Sequence, residues 1–337
     1  MLKQSSILGH IACFTAYLIF GLNIVVCKDL TSSGAISPIA LFTLRSLGAG
    51  ALFWIISLFQ PKQSVEKGDY IKIFAASVLG FFLTQMFFLL AISHITPMDC
   101  SIITSLSPVY TMFIAAYALK EPLSAQKYGG VALSLCGITY LILNSVTASG
   151  TAETTPLGVV LMIGNSLSFS LYLGIFKPII SKYSVVTFMK WIFLFATLLA
   201  LPFSAKEIVS LNFVALPVEY LAELAFLIIC ATFITYFLIP VGQKTLRPTL
   251  VSMYSYVQPI VAIVVSIYVG MDTLSWQKVV AAITVFAGVA IVSYSRSKLK
   301  DNSQAKLHTP AREQIILRYL SANKAIAWGL ITLAVVR

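Results

Sequence analysis

The chain has 337 residues, 58% of them hydrophobic and 10% charged, with a net charge of +11 at pH 7. Soluble domains carry about 25% charged and 45–50% apolar residues, so this composition excludes a soluble enzyme, a disordered chain and a disulfide scaffold. The basic excess does not point to nucleic acid: residues 1–295 hold fifteen Lys/Arg against ten Asp/Glu, the last 42 residues eight against two, and no basic stripe is interleaved with aromatics.

Apolar blocks predict membrane-spanning helices at 7–27, 37–59, 70–92, 97–118, 125–144, 156–176, 185–203, 217–240, 248–269 and 275–295, each near the ~20 residues that cross a bilayer's hydrocarbon core. The first block is too long for a signal-peptide core of about 7–15 residues, and no small-x-small site closes it. It is therefore read as the first span. Lys62, Lys67, Lys120, Lys127, Lys182, Lys244 and Arg247 fall in loops on one side, and Lys28, Lys206 and Lys278 on the other. The positive-inside rule then puts both termini in the cytoplasm, with the bilayer lipids as the chain's surroundings. A basic cytoplasmic tail (297–337) follows the last span, and its apolar segment Ala325–Val336 is too short to cross.

In chain order, the buried-depth polar residues are Asn23 in span 1, Arg45 in span 2, Thr84 and Gln85 in span 3, Ser101, Thr104, Ser105 and Ser107 in span 4, Asn165 and Tyr172 in span 6, Thr232, Thr235, Tyr236 and Glu223 in span 8, and Tyr254, Ser255, Tyr256 and Gln258 in span 9. Pro108 and Pro259 each lie eleven residues beyond the proline that opens their helix, Pro97 and Pro248. That places them about 16 Å deep at 1.5 Å per residue. Each lacks an N–H and so frees the carbonyl four residues back, at Thr104 and Ser255. The surrounding polar groups either line a central cavity or pack the kinks with hydroxyls bonded to their own backbone. Polar groups at such depth mark a pathway, which favours the cavity. Glu223 is a candidate proton-coupling group, although the opening turns of a helix accommodate an acid in any case. Arg45 keeps its proton and must find an acceptor. Glu121 and Asp272, each just past a kinked helix, are placed to pair with basic residues of neighbouring loops and latch one face.

The two halves echo each other. A shift of 151 places Ser101, Pro108, Tyr117, Leu123, Ser124, Gln126, Lys127 and Gly137 on Ser252, Pro259, Tyr268, Leu274, Ser275, Gln277, Lys278 and Gly288, and Glu121 on Asp272. A shift of 149 places Gly9, Phe20 and Lys28 on Gly158, Phe169 and Lys177. Repeats of five spans (1–146 and 147–296) enter the membrane with opposite orientation, the usual architecture of secondary transporters. The expected fold is thus an all-α membrane protein of ten spans in two inverted five-helix repeats.

Leu41-Phe42-Thr43-Leu44-Arg45, Ser107-Pro108 through Glu121-Pro122-Leu123-Ser124, and the echo Gln258-Pro259 through Asp272-Thr273-Leu274-Ser275 resemble the EamA-type members of the drug/metabolite transporter superfamily. The resemblance covers residues 7–295. It implies movement of small metabolites, amino acids and their derivatives among them, often outward across the cell (inner) membrane. Asp272 stands where the family more often has Glu. The expected substrate-binding set is Asn23, Gln85, Ser101, Thr104, Ser105, Tyr172, Tyr236, Tyr254, Tyr256 and Gln258, with Pro108 and Pro259 as kinks and Glu121, Asp272, Glu223 and Arg45 as gate or coupling groups. No helix-opening G-x-G-x-x-G, Walker motif, H-E-x-x-H or Cys/His ligand spacing occurs, so no catalytic group, cofactor or metal is expected. The alternatives are a carrier of phosphorylated or nucleotide-linked sugars, which would want several deep Lys/Arg residues, and a membrane-embedded enzyme on lipid-linked substrates, which would want a cluster of His, Asp or Glu at one interface.

Overall fold

A computed structural model describes residues 2–119, 125–147, 154–211, 213 and 216–307. Its elements are α1 (Leu2–Ser32), α2 (Pro38–Leu58), α3 (Asp69–Ile92), α4 (Pro97–Thr104), α5 (Ser107–Leu119), α6 (Ala125–Thr147), α7 (Pro156–Ile175), α8 (Val185–Ser210), α9 (Val218–Thr245), α10 (Pro248–Tyr268) and α11 (Trp276–Leu307). No strand occurs among the described residues. The expected gate residue Glu121 and the tail beyond 307 lie outside them.

Local sequence explains where the helices start. Ser37, Thr96 and Thr155 accept the N–H groups of Ala40, Asp99 and Gly158, and each is followed by a proline at the first helical position. The hydroxyl satisfies an orphan amide, and the proline gives up an N–H that would have been unpaired there anyway.

Seven helices among the described residues are long and apolar enough to cross a membrane: α2, α3, α7, α8, α9, α10 and the part of α1 from Ile7. The other three predicted spans look different. The 97–118 span is broken into α4 and α5 by a turn at Ser105–Leu106, because Pro108 cannot donate to the Thr104 carbonyl. In α6 and α11 the apolar stretches are shorter, Tyr128–Leu141 and Trp276–Ile291. The helix of α11 also runs twelve residues past the predicted end at 295, through polar sequence.

Residues 151 apart touch one another. Thr197 Oγ1 donates to Ser46 Oγ (3.2 Å), Gln85 Nε2 to Tyr236 Oη (3.0 Å) and Ser134 Oγ to the Val285 carbonyl (3.3 Å). Equivalent positions of two repeats meet only where a pseudo-two-fold axis passes between them. Thr43 meets Ser204, Ser46 meets Thr197 and Phe53 stacks on Phe193, so numbers rise along α2 as they fall along α8. The axis therefore runs across the helices, and the repeats point in opposite directions. Gly137 and Gly288 show the same exchange: a Cβ on Gly137 would sit 3.1 Å from the Ala281 carbonyl oxygen, and one on Gly288 would sit 2.4 Å from that of Gly130. Only glycine lets the α6 and α11 backbones meet this closely.

A further symmetric feature escaped the sequence. Both α3 and α9 contain a π-helical turn, Val78–Phe82 and Ile229–Ile234. Thr84 Oγ1 donates to the Leu79 carbonyl (2.7 Å) and Thr235 Oγ1 to that of Cys230 (2.8 Å), each five residues back. Such turns cluster at functional sites because they widen the helix and turn side chains out of the regular ladder.

Candidate functional site

Residues just beyond the two π turns and on either side of the α4–α5 break line a cavity. It is lined by Tyr17, Phe20, Asn23 and Ile24 of α1, Thr84, Gln85 and Phe88 of α3, Thr104 and Ser107 beside the break, Asn165 and Phe169 of α7, Tyr236 of α9 and Gln258 of α10. About 50 Å³ is open to the centres of water molecules, room for a few waters.

Gln85 and Tyr236 sit on the pseudo-two-fold axis. Gln85 Nε2 donates to Tyr236 Oη, and Tyr236 Oη donates to the Gly80 carbonyl (3.4 Å), which the π turn presents. Asn165 Nδ2 donates to the Thr84 carbonyl (2.7 Å), and Ser168 Oγ shares the Leu79 carbonyl with Thr84. Two buried polar atoms of the lining, Tyr17 Oη and Gln85 Oε1, meet no partner. Buried polar groups are normally satisfied, so these two offer a donor and an acceptor to whatever enters. Phe20 stands edge-on to both Phe169 (6.3 Å) and Tyr236 (6.0 Å), which gives the cavity an aromatic wall.

Of the expected binding set, Asn23, Gln85, Thr104, Tyr236 and Gln258 line this cavity. Ser101, Ser105, Tyr172, Tyr254 and Tyr256 do not. The Ser101 and Ser105 hydroxyls donate to the Met98 and Ile102 carbonyls. Tyr172 lies against Gly80, where a Cβ would come within 2.4 Å of its ring. Tyr254 Oη meets His10 Nδ1 at 2.6 Å between α1 and α10, and the Tyr256 ring packs edge-on to Phe286 of α11. The two kinks also differ. At Pro108 the freed Thr104 carbonyl is taken by Ser107 Oγ (2.8 Å), whereas ahead of Pro259 the chain tightens into a 3-10 turn, Tyr254–Tyr256. Tyr17, Phe20, Phe88 and Phe169 were not expected. For Phe20 and Phe169 the signal was their match under the 149 shift; Tyr17 and Phe88 sit in uniformly apolar helices and gave none.

Asp272 makes its ion pair with Lys278 (2.7 Å), six residues on in its own half, and its other oxygen accepts the Met98 N–H (2.9 Å). It thereby joins the α10–α11 loop to the start of α4. The same face carries Thr154, which donates to Asp99 Oδ2 (2.6 Å) and accepts the Thr96 N–H (3.2 Å). At the opposite face Asp69 accepts from Lys72, Lys182 and Tyr183 Oη, while Lys182 also reaches Glu66. No group of three or more His, Cys, Asp or Glu placed to hold a metal ion occurs among the described residues.

The model of the EamA-like transporter family matches residues 7–143 and 156–294, one copy in each half. The chain belongs to the EamA-like transporter family. It is an EamA-type membrane protein of the drug/metabolite transporter superfamily. An uncharacterized transporter of Archaeoglobus fulgidus is 24% identical over 201 residues, 60% of this chain and 68% of that protein. The uncharacterized transporter YetK of Bacillus subtilis is 23% identical over 268 residues, 77% and 78% of the two chains. A crystal structure 17% identical in sequence shares the fold, with a TM-score of 0.59 over 88% of this EamA chain and 99% of that one.

Proposed function

We propose that this EamA-type transporter moves small uncharged or zwitterionic metabolites, amino acids or related compounds, by alternating access through the central cavity, and that it works as an exporter. Ten spans, with α4 and α5 as the two halves of one, form inverted five-span repeats, and both termini lie on the cytoplasmic side of the inner membrane. The observation that carries this reading is the Gln85–Tyr236 contact: two repeats of opposite direction meet in the lining of the cavity, so exchanging their conformations opens it to the other side. The lining suits such cargo. It supplies aromatic faces and neutral hydrogen-bonding groups and no Lys or Arg, where phosphate would call for paired cations.

Purified protein in liposomes, offered a pool of labelled amino acids and small metabolites, is expected to accumulate a subset of them. The double substitution Gln85→Ala/Tyr236→Phe is expected to cut uptake at least about tenfold, a loss of roughly 1.4 kcal/mol or more of binding, in protein that still melts cooperatively. Uptake equal to wild type in the double variant would remove the cavity from the pathway.

A further inference from the structure

Outside the cavity, α1, α2 and α9 enclose a guanidinium. Arg45 of α2 is fully buried. Its Nε donates to Thr232 Oγ1 (2.9 Å) and one terminal nitrogen to Cys27 Sγ (3.3 Å), while the other meets no acceptor. Both partners are neutral, and a thiol sulfur accepts only weakly. Arg45 makes no ion pair with any described residue. Glu223 of α9, expected as a coupling group, does not pair with it either, and its buried Oε2 meets no donor. Arg45 cannot release its proton, and a buried charge without a counter-charge is costly.

The position of this charge relative to the cavity follows from its two partners. Cys27 lies four residues after Asn23 on α1, and its Sγ donates to Asn23 Oδ1 (3.6 Å). Thr232 lies four residues before Tyr236 on α9. Asn23 and Tyr236 both line the cavity. Gly9 lies against Thr245 and Cys13 against Gly242, so α1 and α9 run antiparallel. Both steps therefore lead the same way, by about 6 Å at 1.5 Å per residue. That way points to the end of α1, where Lys28 reaches the Ile92 carbonyl (2.9 Å), four residues before Thr96 on the face that carries Asp272. Arg45 thus stands one helical turn beyond the cavity, on its Asp272 side. Under the 151 shift it falls on Ala196, so the second half puts no cation at the corresponding place.

We propose that Arg45 is a carboxylate-binding site and that a single carboxylate is the feature by which this site recognises cargo. This rests on the transporter reading. The two oxygens of a carboxylate match paired N–H groups of a guanidinium, and one carboxylate balances the one charge. The carboxylate takes the open terminal nitrogen and displaces Cys27 Sγ from the other, while Thr232 keeps Nε in place. The rest of the compound extends back past Asn23 and Tyr236 into the cavity, where neutral groups and aromatic faces receive it.

The binding test uses the full chain in lipid nanodiscs, with the thermal midpoint as readout of ligand. The probes are a pool of amino acids and short monocarboxylates, the α-amides of the same amino acids, and chloride. The acid pool is expected to raise the wild-type midpoint and the amide pool to leave it unchanged. Arg45→Met should lose the response, with a ligand-free midpoint at or above that of wild type because a buried charge without a counter-charge has gone. Arg45→Lys keeps the charge and loses the fork. It should need at least about tenfold more of the acid pool for the same shift, the loss of one charge-assisted hydrogen bond, and it keeps the test open should Arg45→Met fail to fold. Equal shifts with acids and amides, no shift with the acid pool, or a wild-type response in either Arg45 variant overturns the proposal. A shift with chloride that the acid pool does not compete away places a free inorganic anion at Arg45 and overturns the cargo assignment. In liposomes, equal uptake of acids and amides keeps the transporter reading and overturns the carboxylate site. Acid binding lost in Arg45→Met, with no uptake by wild type, supports the site and strikes the transporter reading instead.

Discussion

The two faces of the bundle are each closed around one buried aspartate, by different means. At one, the Asp272 carboxylate takes the largely buried Lys278 ammonium and a backbone N–H of α4, and the neighbouring Thr154 and Asp99 are fully buried as well. At the other, Asp69 gathers Lys72 and Lys182, whose side chains are 64% and 41% exposed, together with Tyr183. Lys182, held by Asp69 and Glu66, stays above the ordinary lysine range. Its contribution is therefore present at neutral pH and is lost only as pH rises far into the alkaline range, which leaves salt rather than pH as the lever on that face. Under the proposed alternating access each face opens in turn, and the difference teaches that the Asp69 face is the one solvent can loosen.

Asp272→Ala breaks the comparison at its strongest point. It takes the carboxylate from Lys278 and the cap from Met98 N–H, and removing one partner of a buried pair costs about 3–5 kcal/mol. The expected result is the largest fall in thermal midpoint, little changed by salt. Thr154→Ala removes one donor and one acceptor from the same face, at about 1–3 kcal/mol for the buried group left unsatisfied; a melting curve superimposable on wild type would show that Thr154 does not hold Asp99. Asp69→Asn is expected to give the smallest loss, because Lys72 and Lys182 return to water. That loss should fade in 1 M salt, where the screening length is about 3 Å. A salt-independent loss at Asp69 would erase the difference between the faces.

Much of the candidate site was legible because polar residues at mid-bilayer depth are rare: Asn23, Gln85, Tyr236, Thr104 and Gln258 were found that way, and each lines the cavity. Ser101 and Ser105 read identically and yet turn to their own backbone, a choice made by which face of α4 packs against its neighbours. Tyr254 and Tyr256 likewise sit at the right depth and face other helices. The break of the 97–118 span followed from Pro108, while the matching Pro259 left α10 continuous through a 3-10 turn.

The sequence by itself determined that this protein lives in a membrane, that its halves repeat at an interval of 151 residues, and which polar groups lie deep, since these follow from hydropathy, spacing and rise per residue. The tertiary structure alone decided which of those groups converge, where the π turns widen α3 and α9, and that Arg45 reaches Thr232 and Cys27. An apolar helix has no polar face to fix its rotation, so only packing against its neighbours sets what it turns inward.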